Sequence, residues 1–169
     1  MIETNPISAK EIWQFLGEVS DPEIPVLNVV EMGIVREVRF NDGDLIVRIT
    51  PTYSGCPAMN AIENEIKKKL LEKGFENASV VTDYKETWTT DWMTDHAKLK
   101  LKEYGIAPPE KTEDDSDFLT NLKGSQKIVP CPYCDSMNTQ LQSEFGSTAC
   151  KSQYYCDECE QPFEHFKCI

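Results

Sequence analysis

Two Cys-x-x-Cys pairs near the C-terminus constrain this chain most. Cys131-Pro-Tyr-Cys134 and Cys156-Asp-Glu-Cys159 are 21 residues apart, just beyond the roughly 15–20 residues usual between the paired cysteines of a zinc site. Residues 131–169 number only 39, about the length below which a hydrophobic core seldom sustains a fold by itself. Because a structural zinc ion contributes on the order of 10–16 kcal/mol to such a module, we expect this segment to fold around a metal.

The four paired cysteines form a closed set of metal ligands. Zinc takes four ligands in a tetrahedron, and a set of four thiolates leaves no open coordination position, so the pattern predicts a structural zinc ion. An iron–sulfur cluster on the same thiolates is the alternative. Cys150, Cys168 and His165 are alternate ligands, since each could replace one of the four. Otherwise we interpret Cys150 and Cys168 as buried thiols.

Cysteine usage and charge narrow the class of protein. Six of the seven cysteines lie in the tail, and the N-terminus has neither a basic region nor an apolar run, so we expect a reducing, cytoplasmic location and no membrane span. The net charge of −12 divides into −6 for residues 1–106, −2 for 107–130 and −4 for 131–169. Because phosphate binding needs cations, the charge argues against a nucleic-acid partner and favours docking of the ribbon on a protein.

Hydrophobic periodicity and turn residues predict two folded parts. Residues 1–106 are predicted to form a small α/β (α+β) domain, a mixed sheet with flanking helices. An acidic linker is predicted at 107–127 and a zinc ribbon at 128–169. The predicted elements of the first part are a helix begun by the capping box Ser8–Glu11, strands near 34–40 and 45–49, a helix from Pro57 to Gly74, a strand near 78–84 and a helix near 94–105.

Cys56, the cysteine outside the tail, is the second feature that carries chemistry. Pro57 in the first helical position would make Cys56 the N-cap, where free amides and the helix dipole favour a thiolate. Such a thiolate could bind a soft metal, hold part of a cluster between subunits, or act as a nucleophile. A nucleophile needs a base, and neither His96 nor His165 is tied to Cys56 by the sequence. The alternative is a buried cysteine that only caps the helix.

Acidic residues surround a proline loop ahead of the first predicted strand. Asp21, Glu23 and Glu31 are interpreted as turn acids. Ligation of a hard metal, or a docking surface, is the alternative interpretation.

Two stretches of the first part resemble the SufT-like domain family, which is linked to the maturation of iron–sulfur proteins. Asp21–Val35 resembles the opening signature of that family, and Thr50–Pro57 resembles its second signature, including the cysteine. Together the two signatures cover most of residues 8–85. The resemblance implies that Cys56 is a thiolate that handles a transient iron–sulfur cluster.

The rest of the chain is similar to the PaaD (PaaJ) family of phenylacetate-degradation proteins. This similarity implies an accessory subunit of a phenylacetyl-CoA epoxidase system, not itself the catalyst, which assists iron–sulfur cluster or metal-centre assembly in the oxygenase or reductase components. Those components would be its partners, and a homodimer is a further expectation. The alternatives are a structural subunit without a cluster, or a thiol-exchange protein using Cys56, or Cys150 with Cys168. The stretches that carry this similarity are Trp88–Trp92, Tyr104–Pro109, Ser143–Lys151 and Phe166–Ile169.

Overall fold

A computed structural model describes residues 7–41, 43–110 and 128–167. The chain divides into two compact units, Met1–Trp88 and Thr89–Ile169. Most of the predicted linker lies outside the described residues. Among the residues described, no helix has the length and apolar character needed to cross a membrane.

The first unit is a three-stranded mixed sheet with two helices, as predicted. The strand order is β1-β2-β3, with β1 and β2 antiparallel and β2 and β3 parallel. The parallel pair requires a crossover, which the second helix supplies between β2 and β3. The elements are α1 (Ala9–Leu16), β1 (Val35–Asn41), β2 (Asp44–Ile49), α2 (Ala58–Glu72) and β3 (Ser79–Thr82).

The helices of this unit begin and end for local reasons. The capping box at the start of α1 is confirmed, since Ser8 N donates to Glu11 Oε2 at 2.7 Å and Glu11 N donates to Ser8 Oγ at 3.4 Å. After α2, Gly74 adopts φ +90°, a left-handed conformation that suits glycine. Both helices bury one apolar face, formed by Ile12 and Leu16 in α1 and by Met59, Ile62, Ile66 and Leu70 in α2.

The second unit is a four-stranded sheet preceded by a helix. The strand order is β4-β7-β6-β5, with β4 parallel to β7 and the other pairs antiparallel. A single 3₁₀ turn at Thr90–Trp92 precedes the helix. The elements are α3 (Asp95–Tyr104), β4 (Ile106–Ala107), β5 (Thr139–Ser143), β6 (Lys151–Cys156) and β7 (Gln161–Phe166).

The division of the chain differs in position from the predicted domain boundary. The prediction ends the first domain at residue 106, whereas the compact units of the structure meet after Trp88. The physical reason is backbone pairing, because Ile106 pairs with Glu164 and Ala107 pairs with His165. The start of the predicted linker therefore contributes a strand to the ribbon sheet.

The core of the ribbon sheet includes two of the paired cysteines. The rings of Tyr154 and Phe163 stack with their centroids 5.6 Å apart. The buried cluster around them consists of Ala107, Val129, Cys131, Tyr154, Cys156 and Phe163. With so few apolar side chains, this core depends on whatever joins the cysteines.

Candidate metal centre and thiol site

The four paired cysteines converge on one point in the second unit. Their Sγ atoms all lie within 4.8 Å of one another. Cys131 Sγ is 3.7 Å from Cys159 Sγ, and Cys134 Sγ is 3.6 Å from Cys156 Sγ. A tetrahedron with metal–sulfur bonds of about 2.3 Å has sulfur–sulfur edges of about 3.8 Å. The arrangement therefore fits one tetrahedral metal ion held by four thiolates.

Each Cys-x-x-Cys pair is shaped by a tight turn whose last residue is left-handed. In the first turn, Asp135 N donates to Cys131 O at 2.9 Å. Asp135 has φ +58°, and Glu160, which follows the second pair, has φ +56°. The two turns are joined because Asp157 N donates to Asn138 O at 2.9 Å. This backbone geometry aims all four sulfurs at the same point.

The thiols of this cluster differ in acidity before any metal binds. The amide N–H groups of Cys159 and Glu158 stabilise the Cys156 thiolate against the effect of burial, and they lower the pKa of Cys156 to about 7. Burial and the neighbouring sulfurs raise the pKa of Cys159 to about 12. The first negative charge of the cluster therefore forms at Cys156. The remaining protons leave when a cation binds.

The alternate ligands named from the sequence are not part of this cluster in the structure. Cys150 is buried, and its Sγ lies 3.1 Å from Thr148 Oγ1. His165 is also buried, and its Nδ1 lies 3.4 Å from Ser152 Oγ. Among the described residues, only the four paired cysteines form a group with metal-binding geometry. Cys168 lies outside the described residues.

Cys56 lies in the first unit at the entrance to α2. The prediction that it is the N-cap is wrong, because Pro57 holds that position with φ −69° and ψ −23°, and it makes no side-chain capping bond. The helical angles of Pro57 move the first turn one residue further along the chain. The backbone of Cys56 is fixed by hydrogen bonds, from Cys56 N to Tyr53 O at 3.1 Å and from Met59 N to Cys56 O at 3.3 Å. The side chain is partly exposed, so its sulfur can be reached from solvent.

The predicted activation of Cys56 is also wrong for the metal-free protein. Burial raises the pKa of the Cys56 thiol, and the carboxylates of Glu23 and Asp21 add to this effect. The Ala58 amide and the Thr52 hydroxyl lower the pKa, but by less. The amides at the start of α2 are therefore outweighed by desolvation and by two nearby negative charges.

The proline loop explains why those acids lie near Cys56. Asp21 is buried, and its Oδ1 accepts hydrogen bonds from Glu23 N at 2.7 Å and from Ile24 N at 2.8 Å, as expected of a turn acid. Thr50 N donates to Ile34 O at 2.8 Å, which joins the segments that follow the loop and precede Cys56. The sequence did not place these acids beside the thiol, since the juxtaposition depends on long-range pairing.

These features define the class of protein: an α/β domain of the iron–sulfur assembly type, followed by a zinc ribbon. Residues 9–80 match the family model of iron–sulfur cluster assembly proteins, and residues 115–167 match that of the PaaD zinc β-ribbon domain. The chain is 43% identical over 164 residues to an Escherichia coli K12 protein whose name describes it as one of the subunits of 1,2-phenylacetyl-CoA epoxidase, covering 97% of this chain and 95% of that one. The chain belongs to this PaaD family of phenylacetyl-CoA epoxidase components.

Further relatives match about half of the chain. A Porphyromonas gingivalis W83 protein named Fe-S protein maturation auxiliary factor is 33% identical over 94 residues, covering 54% of this chain and 89% of that one. The crystal structure of a domain of unknown function, DUF59, from Bacillus anthracis is 25% identical with a TM-score of 0.51. It covers 54% of this chain and 89% of that one. Both relatives are similar to only a part of this chain, and that part has the fold of the DUF59 domain.

Proposed function

We propose that this protein is an accessory subunit of a phenylacetyl-CoA epoxidase system that assists iron–sulfur cluster or metal-centre assembly in the oxygenase or reductase components. Membership of the PaaD family supports the system, and the match of residues 9–80 supports the assembly role. The single observation that carries the proposal is the partly exposed Cys56 thiol beside the carboxylates of Asp21 and Glu23.

The chemistry of this thiol suits cargo that is held loosely. Without a cation, the two carboxylates keep the thiol protonated. When an iron ion of the cargo binds, its positive charge offsets those carboxylates, the Cys56 proton leaves to solvent, and an iron–sulfur bond forms. Protein-bound clusters usually have four protein ligands, whereas Cys56 is the only cysteine in residues 1–130. One protein sulfur leaves the remaining iron positions for a client protein or a second copy of the chain.

The ribbon cysteines have a different role in this proposal. Cys131, Cys134, Cys156 and Cys159 would hold a structural zinc ion, which links β5, β6 and β7 to the turn at residue 131. A closed set of four thiolates supplies folding free energy and has no position for a substrate. The ribbon therefore keeps its shape while the first unit binds and releases cargo.

Anaerobic reconstitution with ferrous iron and sulfide tests the proposal. We expect the wild-type chain to acquire iron and sulfide with visible absorption, and to transfer both to a metal-free reductase component. Cys56→Ser should do neither, whereas the matched variant Cys150→Ser should behave as wild type, because Cys150 is buried elsewhere. Zinc analysis should give one ion per chain in all three proteins. A colourless, folded wild-type chain, or equal loading of Cys56→Ser, would contradict the proposal.

A second candidate is a structural subunit that binds the epoxidase without handling a cluster. The raised pKa of Cys56 favours it, because a protonated thiol is a weak ligand and a weak nucleophile. In that case, Cys56→Ser would restore full epoxidase activity in cells that lack the protein. The same raised pKa argues against thiol exchange at Cys56. Cytoplasmic location and a homodimer stay predictions.

A further inference from the structure

The loop between β5 and β6 presents a large aromatic side chain to solvent. We call residues Ser143–Ala149 the docking loop. Its Phe145 side chain is 68% exposed, more than any other exposed large hydrophobic residue among those described. An exposed aromatic residue on a mobile loop would mean little, so the question is whether the loop holds Phe145 in place.

Local hydrogen bonds fix the backbone on both sides of Phe145. Ser143 Oγ donates to Phe145 O at 2.8 Å, and Phe145 N donates to Ser143 Oγ at 3.2 Å. Gly146 N donates to Lys151 O at 2.7 Å. These bonds close the loop around the aromatic residue.

The far side of the docking loop is fastened to β7. Ser147 N donates to Glu164 Oε1 at 2.8 Å, and Glu164 Oε2 lies 3.0 Å from the buried ammonium of Lys151. A Cβ atom at Gly146 would lie 2.8 Å from Glu164 Oε1. The loop therefore needs glycine at this position to approach the carboxylate so closely.

A cation lies directly against the exposed ring. Lys167 Nζ is 4.4 Å from the Phe145 ring centroid and donates to Glu144 O. Lys151 and Lys167 are the two lysines of residues 128–167, which contain no arginine. Lys151 forms an ion pair with Glu164, whereas no carboxylate of the described residues forms an ion pair with Lys167. The docking loop therefore displays an aromatic ring and a positive charge together.

We propose that the docking loop is the surface through which this protein binds a protein partner. The partner would offer an apolar pocket that takes the Phe145 ring and a carboxylate at the pocket rim that pairs with Lys167. Because the loop is already fastened, little conformational entropy is lost on binding, and buried aromatic anchors dominate such interfaces. The inference rests on the proposed function only in naming the epoxidase oxygenase and reductase components as the probes.

Biolayer interferometry with the immobilised, zinc-loaded full chain tests this surface. Each purified oxygenase and reductase component is titrated in turn. For the component that binds, Phe145→Ala should raise Kd about 10- to 30-fold. Lys167→Met should raise Kd several-fold and flatten the dependence of Kd on salt. The matched control is Tyr84→Ala, which removes a 64% exposed aromatic side chain of the first unit and should leave Kd unchanged.

A second variant tests whether the fastening matters. Gly146→Val keeps Phe145 but crowds Glu164, so it should raise Kd mainly by slowing association while zinc content stays at one ion per chain. The proposal is overturned if Phe145→Ala binds as tightly as wild type, if Tyr84→Ala weakens binding equally, or if the wild-type chain binds none of the components. Cys56→Ser should bind the partner with the wild-type Kd. If docking persists but Cys56→Ser takes up iron like wild type, the proposed function fails and the docking surface stands.

Discussion

Lys151 and Glu164 form an ion pair across β6 and β7, with Lys151 Nζ 3.0 Å from Glu164 Oε2 and the lysine side chain only 5% exposed. The other carboxylate oxygen accepts a hydrogen bond from Ser147 N. The pair therefore connects the sheet to the docking loop. Removing one member would leave the other charge buried without compensation, which is more costly than losing both.

We therefore expect Lys151→Met to lower the free energy of unfolding of the zinc-loaded protein by about 1–3 kcal/mol, a range reduced because Glu164 is partly exposed. The double variant Lys151→Met, Glu164→Gln should recover part of that loss. Urea unfolding followed by circular dichroism measures both. Additive losses in the double variant would show that the two side chains do not depend on each other.

The environment of Cys56 makes a prediction about its reactivity. Because burial and the carboxylates of Glu23 and Asp21 raise its pKa, the thiolate fraction at neutral pH is smaller than in a free cysteine, and alkylation should be correspondingly slow. Glu23→Gln removes one negative charge, lowers the pKa and should speed alkylation about two- to fivefold at about pH 7.5.

Mass spectrometry of the metal-loaded protein treated with iodoacetamide measures the rate at Cys56. Glu76→Gln, which changes an exposed acid elsewhere in the first unit, should leave the rate unchanged. Rapid alkylation of wild-type Cys56 near neutral pH would contradict the raised pKa.

Removal of the metal should affect the two units differently. The ribbon core contains Cys131 and Cys156 themselves, so a strong zinc chelator should abolish the cooperative unfolding of β5–β7. The first unit has a core of its own in α1, α2 and the mixed sheet, so its helical circular dichroism should remain. Adding zinc back should restore the ribbon, and Cys156→Ser should prevent this recovery. A ribbon that keeps its near-ultraviolet signal without zinc would be inconsistent with a metal-dependent core.

The left-handed residue after the second cysteine pair offers a stabilising substitution. Glu160 has φ +56°, a conformation that costs a residue with a Cβ atom roughly 1–2 kcal/mol relative to glycine. Glu160→Gly should therefore raise the melting temperature of the zinc-loaded ribbon by a few degrees. Glu158→Gly is the matched control, since Glu158 has no positive φ, and it should lower the melting temperature. If both variants lower it, strain at Glu160 is absent.

Local signals in the sequence predicted the elements well. The capping box at Ser8 and Glu11 placed the start of α1, and Thr94 and Gly105 flank α3 as the prediction required. The paired cysteines predicted their own convergence because each pair forms one turn and a closed thiolate set has a single arrangement. These features depend on residues close in the chain or on a strict ligand geometry.

Features that depend on distant residues were missed. The acidity of Cys56 was predicted from the helix that follows it, but its pKa is raised by burial and by acids more than 30 positions earlier. The pairing of β4 with β7 joins residues nearly 60 positions apart, and two residues are too few to show the alternation of a strand. The fastening of the docking loop by Glu164 likewise appears only once β6 and β7 are paired.

The short strand at Ile106–Ala107 has a practical consequence for anyone who isolates the C-terminal module. A fragment cut at residue 128 would lose that strand, and the backbone groups of β7 that it satisfies would face water. Open strand edges recruit other molecules and promote aggregation. A fragment beginning at Thr89 keeps the edge covered.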